Sequence, residues 1–240
     1  MLVCPATFSV NLDDVKHYYI GLTTVESYNA YMNVVVFGAS GKVGRLVVEI
    51  LMADGHQVTA FVHKSLPFYE NEKLKLVQGD IHNKADIKKA LSGSQAVISA
   101  LGSWHTPSKD ILSSAMRSIV PIMEEGGITR LISLTGSAAV SPGDHLNIVD
   151  RINHALLKLA AGKIVKDSEE HINVLSGSNL DWTVIRSPIM SNNQNSIYRL
   201  DLRPPSPLAT IPRRAVAKAL VDQLDSNLYL KSSPHIHRSK

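Results

Sequence analysis

A short apolar run followed by three evenly spaced glycines constrains the fold of this chain more than any other feature. Residues 34–37 read Val-Val-Val-Phe, and Gly38, Gly41 and Gly44 follow at three-residue spacing. β-Branched and aromatic residues without polar alternation are typical of a strand covered on both faces of a parallel sheet. The glycines predict a sharp turn, a close approach of backbone N–H groups to a pyrophosphate, and close packing of the next helix.

The residues around these glycines complete a predicted dinucleotide-binding turn. Ser40, Lys42 and Val43 stand between the glycines, at the positive end of a helix that would face the phosphates. The spacing is GxxGxxG rather than GxGxxG, and glycines alone are a weak signal. An apolar helical pattern over residues 43–53 and a second strand over 57–62 support the interpretation. The alternative is an ordinary strand, turn and helix that binds no ligand.

Strands and helices alternate from residue 33 onward. The patterns predict strands at residues 34–37, 57–62, 74–78, 96–101, 130–135 and 181–186, and helices at 43–53, 84–91, 108–124, 148–175 (broken) and 212–224. This alternation predicts an α/β fold, a doubly wound parallel sheet of the Rossmann type in a single domain, with ligands outside the strand carboxyl ends.

The two ends of the chain depart from this rhythm. Residues 1–32 are either a genuine extension or upstream sequence included by an early start assignment, and 33–240 form the NAD(P)-binding domain. Residues 187–208, rich in Pro, Ser and Asn, are predicted to be irregular, and residues 187–240 form a small substrate-side segment. His235 and His237 could bind a metal, but no third ligand is apparent. We therefore expect both histidines to be exposed in the tail and to form no metal site.

Composition narrows the class of protein. Hydrophobic residues make up 44% and charged residues 19% of the 240 residues, and no apolar run reaches the ~18 residues of a membrane span. A single cysteine, Cys4, excludes an intramolecular disulfide and fits a reducing cytoplasm. The net charge is +4, but the basic residues do not form the clustered stripe that is typical of nucleic-acid-binding proteins. We expect a cytoplasmic monomer or homodimer that binds a small molecule, with no nucleic acid or membrane partner.

The end of the second strand predicts the choice of cofactor. Sites specific for NAD usually carry a carboxylate there, which accepts hydrogen bonds from the adenosine ribose. This chain has His63 and Lys64 instead. Two side chains able to carry positive charge would attract a 2′-phosphate, so NADP(H) is preferred over NAD(H). The alternative is that both residues only decorate a solvated strand end.

Two further strand ends supply candidate cofactor contacts. Asp80 and Ile81 follow the third strand, where Asp80 could accept from the adenine amino group or act as a turn or cap residue. Ala100, Leu101 and Gly102 follow the fourth strand and would run beside the cofactor, with Gly102 allowing close backbone approach.

Three segments together resemble a known family. The glycine turn, the pair Gly79-Asp80 and residues 178–188, Ser-Asn-Leu-Asp-Trp-Thr-Val-Ile-Arg-Ser-Pro, are similar to the atypical short-chain dehydrogenase/reductases. Within these, the chain resembles the NmrA-like, NAD(P)H-binding group that includes relatives of biliverdin reductase B. The resemblance covers residues 33–224 and implies Lys166 and Pro188 as further cofactor contacts.

The resemblance also exposes a gap in the expected catalytic set. Short-chain dehydrogenases normally use Tyr-x-x-x-Lys, but Gly162 stands four residues before Lys166. The candidates to act beside Lys166 are Thr135 and Ser137 at the end of the fifth strand and His105 after the fourth. In the alternative, Thr135 and Ser137 are polar caps of the strand end and His105 is an exposed loop histidine.

The missing tyrosine leaves two functions open. Hydride transfer from NADPH to a flavin or quinone needs no protein acid because the proton can come from water, and relatives of this type include flavin and quinone reductases. The chain is therefore predicted to be an oxidoreductase acting on a flavin, a quinone or a small carbonyl compound. The alternative is a non-catalytic NADP-binding sensor of the NmrA-like type.

Overall fold

A computed structural model of the chain describes residues 31–63, 70–103 and 108–239. Its elements in chain order are β1 (Asn33–Phe37), α1 (Lys42–Ala53), β2 (Gln57–Val62), β3 (Leu74–Gln78), α2 (Lys84–Leu91), β4 (Ala96–Ser99), α3 (Ile111–Glu125), β5 (Arg130–Gly136), α4 (Ile148–Ser176), β6 (Asp181–Ser187), β7 (Ile189–Ser191), β8 (Tyr198–Asp201), β9 (Thr210–Pro212), α5 (Arg213–Asp222) and β10 (His235–Arg238).

The main sheet has eight strands in the order β3-β2-β1-β4-β5-β6-β10-β8. All neighbours are parallel except β10 and β8, and β7 pairs with β9 in a separate parallel ribbon. The direction of the strand order reverses between β1 and β4, and in open α/β sheets ligands bind at this switch point. The predicted doubly wound Rossmann-type fold is confirmed.

Helices cover both faces of the sheet. Val34 and Val36 of β1 pack with Val47 of α1 and Ala217 of α5, whereas Val35 packs on the opposite face with the helices α2 to α4. Successive side chains of a strand point to opposite faces of the sheet, so helices on both faces bury all the side chains of residues 34–37. This explains why these residues form a continuous apolar run.

The helix α4 is kinked at Ala161, in agreement with the predicted break in this region. Ala161 has non-helical backbone angles, φ −139° and ψ 36°. Lys158 and His154 both contact Glu169 at 3.1 Å, although residues 158 and 169 of a continuous helix would lie about 16 Å apart along its axis. The kink at Ala161 therefore brings side chains of the two halves of α4 into contact.

The carboxyl-terminal segment is where the sequence prediction is wrong. β10 joins the sheet beside β6, and His235 is buried rather than exposed. The pairing uses backbone groups, since the N–H groups of Val184 and Arg186 donate to the carbonyls of Ser232 and Pro234. Residues 187–208, predicted to be irregular, contain β7 and β8.

Element bounds elsewhere follow the sequence closely. β2, β3 and α2 begin and end at the predicted residues, while β4 ends at Ser99 rather than at residue 101. No described helix is long and apolar enough to cross a membrane. The proposed extension at residues 1–32 lies outside the described residues, apart from its last two.

Candidate functional site

The glycine turn is held by backbone contacts that leave no room for side chains. Gly38 has φ +75°, and a Cβ placed there would lie 2.8 Å from the backbone of Ala100 and Leu101. The Gly41 N–H donates to the Gly38 carbonyl at 2.9 Å. A Cβ on Gly44 would lie 2.1 Å from that same carbonyl oxygen. Glycine at 38 and 44 therefore lets α1 begin directly against the end of β1.

The amino end of α1 is open to a ligand. Gly41 is its N-cap, no side chain caps it, and its first turn has no acidic residue. In contrast, Asn83 and Asn147 cap α2 and α4 with their side chains. Uncapped N–H groups at a positive helix end suit an anion such as phosphate.

The other residues of the turn differ in what they can offer. Ser40 and Lys42 are exposed, and the Arg45 Nε donates to the Ser40 carbonyl at 3.1 Å, which steadies the turn. The Val43 side chain is buried in the core, so Val43 can present only its backbone to a ligand.

The ends of β2 and β3 carry the residues predicted to hold the adenosine. His63 is exposed directly after β2, and Lys64 lies outside the described residues. An Asp80 carboxylate oxygen accepts from the His82 N–H at 2.9 Å, and Ile81 packs partly buried against the core. Asp80 therefore has the turn role, whereas its contact with adenine stays a prediction.

The segment after β4 passes directly in front of the glycine turn. The Ala100 N–H donates to the Phe37 carbonyl at 2.9 Å, and Leu101 packs partly buried. Gly102 is exposed, with open space where a Cβ would be added. His105 falls outside the described residues. The backbone of residues 100–102 thus borders the space in front of the uncapped helix end.

The predicted polar groups at the end of β5 lie beside β6. Thr135 is buried, and its hydroxyl has no partner among the described residues. The N–H of Ser137, which is half-buried, donates to the Ser187 carbonyl at 2.8 Å, next to the buried Pro188. An unpaired buried hydroxyl at a strand carboxyl end is available to a bound ligand.

Lys166 lies on an exposed part of α4 and has no hydrogen bond to Thr135 or Ser137. Its neighbours Val165 and Asp167 are buried. Gly162, one turn earlier, has open space where a Cβ would be added. Thr135 and Ser137 therefore both lie at the end of β5, and neither forms a hydrogen bond with Lys166.

An arginine of the β6 motif is buried in a polar network that sequence reasoning missed. Arg186 is 1% exposed and pairs with Asp144 through both terminal nitrogens. It also donates to the carbonyls of Ala139 and Ser233, at 3.1 and 2.6 Å. One side chain thus joins the loop after β5 to the segment before β10. An arginine within an apolar strand sequence was the signal for it.

A second buried polar pair joins β5 to α4. The Ser133 hydroxyl lies 2.9 Å from His171 Nε2, and His171 Nδ1 has no partner among the described residues. Burial lowers the pKa of His171 to about 4, against a small opposing influence of Asp167. His171 is therefore neutral in the folded protein at physiological pH.

Acid should destabilise the protein through His171. Between about pH 6.5 and pH 4 the unfolded histidine binds a proton that the buried one excludes, so stability falls as the pH falls. The loss from pH 7.5 to pH 5 should be about 2 kcal/mol from this residue. Urea unfolding of the wild type and His171→Gln at both pH values measures it. The same pH dependence in both proteins would contradict the assignment.

Groups of three or more potential metal ligands are absent from the part of the chain that the structure describes.

Comparison with known proteins adds a family and a set of structural relatives. A family model described as NAD(P)H-binding matches residues 38–227. A 3-beta-hydroxysteroid dehydrogenase from Mycolicibacterium neoaurum is 26% identical over 125 residues, which are 47% of this chain and 34% of that protein. The chain thus matches about a third of the length of its curated relatives.

Solved structures share the fold at low sequence identity. A short-chain dehydrogenase/reductase from Veillonella parvula in complex with NADP has a TM-score of 0.68 at 19% identity, over 87% of this chain and 95% of that one. The anaerobillin reductase ChuY from Escherichia coli has a TM-score of 0.68 at 18% identity, over 87% and 98%.

Proposed function

Because this chain belongs to the NAD(P)H-binding family, we propose that it is a reductase that transfers hydride from NADPH to a flavin, a quinone or a small carbonyl compound. The resemblance to the NmrA-like atypical short-chain dehydrogenase/reductases inferred from the sequence is confirmed. The observation that carries the proposal is the amino end of α1, which has no side-chain cap and which Gly38 and Gly44 allow to lie directly against the end of β1. A related fold in complex with NADP supports it.

The residues of this chain would bind and orient the cofactor. The first N–H groups of α1 would hold the pyrophosphate, and residues 100–102 would line the path toward the nicotinamide. His63 and Lys64 would hold the 2′-phosphate, which is the basis for NADPH over NADH. The bound nicotinamide supplies the hydride. The unpaired Thr135 hydroxyl and Ser137 would orient the carboxamide or the acceptor.

The acceptor class follows from the proton that must accompany the hydride. No tyrosine occurs between residues 101 and 198, and the Lys166 side chain makes no hydrogen bond to Thr135 or Ser137. Reduction of a quinone by one hydride leaves a hydroquinone anion, which takes its proton from water, and a flavin behaves likewise. These acceptors therefore suit the site better than an unactivated carbonyl compound.

The single cysteine supports a cytoplasmic location.

A second candidate function is a non-catalytic NADP sensor. The observation that favours it is Gly162, which has open space where the family tyrosine would stand. In this case the cofactor would bind and change the surface of the protein without turnover.

Cofactor binding and turnover separate these functions. Purified protein should bind NADPH more tightly than NADH in a fluorescence titration, and should oxidise NADPH when FMN or a small quinone is added. Tight binding with no turnover on any acceptor would favour the sensor. Failure to bind either nucleotide would refute both proposals.

The same titration tests the choice of cofactor. Lys64→Glu should weaken NADPH binding by about tenfold and leave NADH binding unchanged, since one charge-assisted phosphate contact is lost. The matched control is Lys73→Glu, an exposed lysine just before β3, at the amino ends of the parallel strands, whereas the predicted cofactor site is at their carboxyl ends. Equal losses for both nucleotides would argue against a 2′-phosphate contact.

A further inference from the structure

Asp167 of α4 is a buried carboxylate with three hydrogen bonds to another part of the fold. One oxygen accepts from the Ser103 hydroxyl at 2.8 Å and the Leu112 N–H at 3.1 Å, and the other accepts from the Ser113 N–H at 2.9 Å. The residue is 4% exposed. A carboxylate this buried is stable only with such donors around it.

These contacts replace a helix cap that the local sequence does not supply. The N-cap residue of α3, Asp110, makes no side-chain hydrogen bond to the helix. Asp167 instead accepts from the second and third N–H groups of α3, which a local cap residue would normally satisfy. The negative charge also lies at the positive end of α3. The cap therefore comes from a residue more than fifty positions away in the chain.

The hydrogen bond from the Ser103 hydroxyl connects Asp167 to the proposed cofactor site. Ser103 directly follows Gly102, at the end of the segment that passes in front of the glycine turn. Asp167 directly follows Lys166 on α4. One carboxylate therefore ties together the segment after β4, the start of α3 and the turn of α4 that carries Lys166.

We propose that Asp167 is a positioning residue, which holds residues 100–103 and the Lys166 turn of α4 in one fixed arrangement around the bound nucleotide. This inference rests on the proposed function. Asp167 itself contacts neither cofactor nor substrate, and it acts through the Ser103 hydroxyl and the amino end of α3.

The structure offers a matched control on the same two helices. Arg117 of α3 and Glu170 of α4 form an ion pair at 2.6 Å, about one helical turn from Asp167. Their side chains are 53% and 41% exposed, and neither has a hydrogen bond or ion pair with residues 100–103. Glu170→Gln therefore loosens the contact between α3 and α4 without releasing the segment after β4.

Hydrogen exchange and nucleotide binding together test the proposal. In the nucleotide-free protein, Ser103→Ala and Asp167→Asn should speed amide exchange in residues 100–103, while Glu170→Gln leaves it at the wild-type rate. Ser103→Ala and Asp167→Asn should also each weaken NADPH binding by about tenfold, the effect of losing one hydrogen bond to a charged group. Ser103→Ala keeps the cap of α3, so it serves if Asp167→Asn fails to fold.

Two results would overturn the proposal. One is wild-type exchange of residues 100–103 in Ser103→Ala, and the other is NADPH binding by Ser103→Ala that equals that of Glu170→Gln. If the wild-type protein binds no NADPH, the proposed function fails instead. The exchange rates in the nucleotide-free protein would then still decide whether Asp167 holds this segment.

Discussion

Replacing Asp144 with alanine should lower the free energy of unfolding by about 3–5 kcal/mol, the cost of removing one partner of a buried ion pair. Arg186 is 1% exposed, so without the Asp144 carboxylate its charge would stay buried and its acceptors among the described residues would be the carbonyls of Ala139 and Ser233. Urea unfolding at pH 7.5 measures the loss.

Two further variants show whether the buried charge is the cause. The double variant Asp144→Leu with Arg186→Met removes both charges, and its stability should recover most of the loss, because apolar side chains of similar volume can replace a buried pair. Glu125→Ala breaks the exposed ion pair with Lys88, at 2.9 Å, and should change stability far less. A loss in Asp144→Ala no larger than in Glu125→Ala would contradict the buried network.

Gly44→Ala should abolish tight NADPH binding, with a loss of about 100-fold or more in affinity. The added Cβ would lie 2.1 Å from the Gly38 carbonyl oxygen and 2.8 Å from the Ala39 Cα, both backbone atoms. Since neither can turn away as a side chain would, α1 must shift from β1. Its N–H groups then leave the phosphates, and loss of two charge-assisted hydrogen bonds gives an effect of this size.

The same variant should be less stable by about 1–3 kcal/mol, as is typical of overpacking in a core. Gly177→Ala is the matched control, because its Cβ would lie 3.7 Å from the nearest atoms, at the far end of α4. It should bind NADPH like the wild type. Isothermal titration and thermal unfolding of both variants test the pair of expectations. Wild-type affinity in Gly44→Ala would refute the turn as the phosphate site.

Local sequence was sufficient where the signal lies within one element. The apolar run of β1 predicts a strand buried on both faces, and the spacing of Gly38 and Gly44 predicts the tight turn onto α1. The bounds of β2 and α2 also have local causes, since Gly55 with φ +93° follows α1 and the Asn83 side chain caps α2.

Contacts between distant segments were beyond reach of the same reasoning. The tail around His235 is a strand because β6 offers it a free edge, and pairing through backbone groups needs no particular side-chain pattern. Asp167 caps α3 although it lies more than fifty residues further along the chain, and Arg186 of β6 pairs with Asp144 in the loop after β5. A sequence shows that such residues carry charge, but it does not show which partner removes the cost of burying it.

The sequence by itself determined the fold class, the glycine turn and the absence of a tyrosine four residues before Lys166, since each depends on residues close together in the chain. Tertiary structure alone decided that β10 extends the sheet and that Asp167 and Arg186 connect the segments around the site. The physical reason is that buried charges and unpaired backbone groups are satisfied by whatever the fold brings near them.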